Sequence, residues 1–99
     1  MVLPSSLRKE EAYMMIENFS PFHYTLHWIG PSSVPEVVED INPYQVGGQP
    51  RYIIKSTPGH QFLLIRNDEE NISHEWNVFG IVDFIYIEQS GELYHSHRN

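Results

Sequence analysis

His23-Tyr24-Thr25-Leu26-His27-Trp28-Ile29 alternates polar and apolar side chains with a period of two. That period belongs to a strand, because successive side chains leave a strand on opposite faces. Tyr24, Leu26 and Trp28 share one face; His23, Thr25 and His27 share the other. One face suits a core and the other suits water, the pattern of a sheet covered on one side. Gly30-Pro31-Ser32-Ser33 closes the run with turn formers.

Working outward, the same signs recur. Tyr13 to Asn18 reads as a strand ended by Asn18, Ser20 and Pro21. Glu36 to Ile41, Arg51 to Ser56 and Gln61 to Ile65 read as further strands, with Tyr52 and Ile54 facing together. Asn42-Pro43-Tyr44 and Val46 to Pro50 are loop by composition, and Thr57-Pro58-Gly59 is a turn. Arg66 to His74 reads as a charged loop. Glu75 to Phe79 and Ile81 to Glu88 follow as two strands, or as one bent at Gly80. No amphipathic helix longer than two turns is visible. The expectation is an all-β chain: a single domain, a small β-sandwich of about seven antiparallel strands. Residues 1–11 read as a flexible arm with one helical turn at most, 12–90 as the domain, and 91–99 as a flexible tail.

Composition narrows the function. The chain has 99 residues, 40% hydrophobic and 19% charged, which is globular rather than disordered. Aromatic residues make up 13%, enough for a small core or a binding face. The net charge is −7 with only six Lys and Arg, and no basic cluster. Nucleic acid and anionic membranes both need a local positive patch, so neither is an expected partner. The acidic runs Glu10-Glu11, Glu39-Asp40 and Asp68-Glu69-Glu70 read as solvated loops and turns. There is no cysteine, so folding does not rely on disulfides. Neither a signal-peptide pattern nor a membrane span is visible, and the default expectation is a cytoplasmic protein. Oligomeric state is not legible.

Two short runs carry a resemblance. The first is Asn18-Phe19-Ser20-Pro21, with Trp28 on the strand that follows. The second is Ser56-Thr57-Pro58-Gly59-His60-Gln61-Phe62. In order and internal spacing they resemble the β domain of the von Hippel-Lindau tumour suppressor family, over roughly residues 12–88. That family's β domain is a β-sandwich that binds a hydroxylated proline in an extended peptide and so selects a protein for ubiquitination. The resemblance implies a peptide pocket made of Trp28, Ser56, His60 and Phe62. The family's pocket Tyr falls on Val38 when Ile41-Asn42-Pro43 is matched to its turn. Under a different alignment of the loop, Tyr44 takes that place. The family's His before the pocket Ser is Lys55 here. The helical domain that recruits ligase adaptors has no counterpart in these residues, so the expectation is recognition without ligase recruitment.

The chemistry of such a pocket is direct. A proline ring packs on aromatic faces such as Trp28 and Phe62. A ring hydroxyl needs partners once buried, and Ser56 and His60 both donate and accept. A site built around a hydroxyl rejects the bare ring, because its own polar groups are then left unpaired.

Each residue also has a plainer role. Trp28 on an alternating strand serves a core, turn chemistry explains Ser56, His60 caps the next strand, and Phe62 is half core. The alternative function is a structural or interaction domain that keeps the fold and lacks the pocket. Metal binding is not expected: His23 and His27 would stand about 13–14 Å apart along a strand, and His95-Ser96-His97 lies on the polar tail without a third ligand. No nucleophile elbow and no phosphate loop are present, so neither an enzyme nor a cofactor is expected, and a metal-dependent enzyme is the least favoured reading.

Overall fold

The computed structural model describes residues 12–78 and 81–98, with the side chain of Glu70 left aside. The expected arm at 1–11 and the bend at Gly80 lie outside the described residues. Eight strands form two four-stranded sheets. The strands are β1 (Ala12–Asn18), β2 (Tyr24–Ile29), β3 (Pro35–Ile41), β4 (Tyr52–Ser56), β5 (Gln61–Arg66), β6 (Glu69–Asn77), β7 (Val82–Ile87) and β8 (Leu93–Arg98). One sheet runs β4-β1-β7-β8 and the other β3-β2-β5-β6. A single 3-10 turn, Tyr44–Val46, interrupts the connection between β3 and β4. The β-sandwich is therefore as expected, with two differences. Most pairings are antiparallel, but β1 and β7 run parallel, Tyr13 opposite Val82 through Asn18 opposite Ile87. The strand count also rises to eight among the described residues.

Alternation sets the core. Ala12, Met14 and Ile16 of β1 point inward and are fully buried, as do Ile85 and Ile87 of β7. Tyr24 and Leu26 face them from β2, and Phe62 and Leu64 from β5. Each large apolar side chain moved out of water there contributes about 1.5–3 kcal/mol.

Two segments correct the sequence reading. Glu69 to His74 lie in strand β6, not in a loop; only Asn67 and Asp68 make the turn between β5 and β6. Leu93 to Arg98 form strand β8 on β7, where a flexible tail was expected. The acidic pair Glu39-Asp40 likewise stands on a strand, the exposed edge strand β3.

The run Asn18-Phe19-Ser20-Pro21 makes a fully satisfied turn in the core. Asn18 is entirely buried. Its Nδ2 donates to the carbonyls of Phe22 at 2.8 Å and Ile41 at 3.1 Å. Its Oδ1 accepts from the N–H of Ser20 at 3.1 Å and the hydroxyl of Ser20 at 2.6 Å. One side chain thus ties the end of β1 to the start of β2 and the end of β3. No helix among the described residues is long and apolar enough to cross a membrane.

Candidate functional site

The side of the sandwich where edge strands β3 and β4 come together is open. A groove of about 360 Å³ lies there, lined by Trp28, Val38, Ile54, Lys55, Ser56, Thr57, His60 and Phe62. Four of the five residues named from the sequence therefore converge: Trp28, Ser56, His60 and Phe62.

Local geometry explains each position. Trp28 and Phe62 are directly opposite in the β2–β5 register, so both rings leave the sheet on one face as neighbours. Phe62 continues the row to its cross-strand partner Trp76, ring centres 6.0 Å apart. Trp28 lies back over Gly30: a Cβ on Gly30 would meet the indole at 2.8 Å. The absence of a side chain at Gly30 is what lets the ring take this pose.

His60 is delivered by a tight turn. Pro58 and Gly59 occupy its centre, Gly59 has φ +95°, and the N–H of His60 donates to the carbonyl of Thr57 at 3.2 Å. Pro followed by a left-handed Gly is the signature of a type II turn. The turn is tied down by Val78, whose carbonyl accepts from Gly59 N–H at 2.9 Å and whose N–H donates to the His60 carbonyl at 2.8 Å. The imidazole then stands 5.6 Å from the Trp28 ring, tilted by 43°.

Ser56 pairs with Ala12 in register and turns inward at the end of β4. Its Oγ is buried and has no hydrogen-bond partner among the described residues. Such a hydroxyl costs about 1–3 kcal/mol while unpaired. Any polar ligand atom that reaches it recovers that cost.

Tyr44 does not join them. It sits on the 3-10 turn with its ring 5.8 Å from Phe19, and it is absent from the groove lining. The physical reason is the loop itself. The hydroxyl of Tyr52 accepts from the N–H groups of Asn42 and Gln49, at 3.2 and 3.3 Å, folding 42–49 back on itself. Val38 takes the wall instead. The β2–β3 register steps from Leu26 opposite Glu39 to His27 opposite Val37, which leaves Val38 as the extra residue of a bulge. The wall is apolar where the family's Tyr would bring a hydroxyl.

A second cluster escaped the sequence reading. Asp83 of β7 is buried, and its Oδ1 lies 2.8 Å from His95 Nε2; His95 Nδ1 lies 2.8 Å from His74 Nε2. The donor roles follow from the partners: the carboxylate accepts from His95, whose Nδ1 then accepts from a neutral His74. Both imidazoles pack on Trp76 at 5.3 Å. Burial foremost, and the nearby His95, hold the His74 pKa below its ordinary value. The relay joins β7 and β8 of one sheet to β6 of the other, on the side of the sandwich away from the groove. His95 stands on strand β8 rather than on a flexible tail. The buried Asp83 on an otherwise apolar strand was the available signal. Among the described residues no group of three His, Cys, Asp or Glu is placed to hold a metal ion. Compared with known proteins, the chain matches no family model and no curated protein.

Proposed function

We propose that this domain binds an extended peptide and seats a proline or hydroxyproline ring in the groove, as a module of the von Hippel-Lindau β-domain type. The observation that carries this reading is the convergence of Trp28, Ser56, His60 and Phe62 on one open groove. Trp28 and Phe62 offer the ring two aromatic walls. The unpaired Ser56 hydroxyl and the exposed His60 offer a ring hydroxyl its partners. β4 offers the main chain: it is an edge strand with no outer partner among the described residues, and it carries neither a proline nor a bulge. A peptide added to that edge gains ladder hydrogen bonds and sends alternate side chains into the groove.

Val38 weighs on the selectivity. With an apolar wall in place of a Tyr, fewer polar groups are stranded when a bare proline enters, so discrimination against proline weakens. The same observation favours a second reading, in which the domain keeps the fold and uses other surfaces. Titration with matched proline and 4-hydroxyproline peptides separates the two. The expected result is binding of both, tighter for hydroxyproline, with His60→Ala reducing the difference. A null titration with both peptides, or identical curves that His60→Ala leaves unmoved, sinks the pocket.

A further inference from the structure

Resting on the peptide-binding reading, we infer that the natural occupant of the groove is a basic segment, one whose groove-seated residue is flanked by Lys or Arg. Acidic residues flank the apolar wall that Val38 of β3 gives the groove. In register Glu36 lies opposite Trp28 and Glu39 opposite Leu26, which sets both beside the groove rather than in its lining. Every residue from Pro35 to Asp40 is exposed. Neither Glu36 nor Glu39 has a basic side chain within ion-pair distance among the described residues.

Edge protection alone does not account for these charges. Pro35 and the bulge at Val38 already keep β3 from pairing with a stray strand, and charges at an edge serve the same purpose. Lys is the commonest choice for that duty. Here all three charges of β3, Glu36, Glu39 and Asp40, are acidic, and two of them border the site. The titratable groups that line the groove itself are His60, at the turn, and Lys55, on the opposite wall formed by β4. The rim of the groove along β3 is therefore negative. A basic side chain beside the seated ring meets Glu36 and Glu39, and the net charge of −7 attracts a basic segment from a distance.

The test uses the full chain and three labelled peptides that share a central 4-hydroxyproline and differ only in flanks of Lys, Ala or Glu. Anisotropy titrations at low salt should rank them Lys, then Ala, then Glu, with Lys about three- to tenfold tighter than Ala, as two exposed ion pairs allow. The gap should close at high salt. The pair Glu36→Gln with Glu39→Gln should erase the preference. Asp40→Asn, at the position opposite Thr25 on the other face, should keep it. Equal affinities, a preference for Glu flanks, or a Lys preference that survives the double substitution overturns the inference and leaves the groove reading standing, since the Ala-flanked peptide still binds. Failure of all three peptides to bind removes both.

Discussion

Asn18 shows how one polar residue can hold a small core together. It is an amide at zero exposure, yet both donors and the acceptor are engaged by Phe22, Ile41 and Ser20. Buried amides are tolerable only in that state, since an unpaired buried group costs about 1–3 kcal/mol. Asn18→Ala strands two carbonyls and the Ser20 hydroxyl at once. It should lower the unfolding free energy by about 2–4 kcal/mol in urea titration. A loss under about 1 kcal/mol would mean that water or a shifted backbone replaces the amide. The groove residues divide in the same way between fold and ligand. Phe62 is nearly all core at 4% exposure, whereas His60 is exposed and its ring touches the structure mainly through Trp28. His60 is therefore the groove residue whose replacement tests binding with least disturbance to folding.

Among the elements, β6 and β8 are edge strands closed against each other by the relay through Asp83, His95 and His74. The depressed pKa of His74 fixes the sign of a pH effect. As pH falls below about 6.5, the ordinary histidine value, the unfolded chain takes up a proton that folded His74 resists. Stability is full above that value and is lost on acidification through the folded pKa. The denaturation midpoint should fall between pH 7.5 and 5.5, and should fall less in His74→Gln; equal falls in the two proteins would assign the effect elsewhere. These two strands are also where the sequence was least legible. β2 shows its apolar face in the alternation itself, and β5 shows as a compact apolar run. β6 and β8 place histidines at inward positions, which look polar in a pattern although partners make them buriable. Paired neighbours, rather than their own residues, make them strands. The groove residues were legible for a different reason: the resemblance of the runs at Asn18 and Ser56 named them, whereas Pro58-Gly59 by itself showed only a turn. Tyr44 was misplaced because a bulge at Val38 and the Tyr52 clasp on the loop leave no mark in local composition.

At the scale of the whole molecule, the two sheets meet along a common core and leave two sides with different tasks. One side carries the groove between β3 and β4; the other is shut by the histidine relay. The row Trp28, Phe62, Trp76 runs from the first toward the second. The parallel pair β1–β7 joins residues near opposite ends of the described chain, and its inner positions, Met14, Ile16, Ile85 and Ile87, are fully buried. Parallel, non-local pairing is slow to form because loop-closure entropy opposes it before any contact rewards it. Refolding should take milliseconds to seconds, and stopped-flow Trp fluorescence reads it; microsecond folding would exclude β1–β7 docking from the barrier. The consequence reaches protein synthesis. A nascent chain whose Val82 to Ile87 still lie inside the ribosome can set β1 against β4 but leaves its other edge without a partner. That open edge, beside Met14 and Ile16, is a substrate for chaperones and a seed for clumping. This domain cannot mature piecemeal as it emerges: its first strand is finished almost last.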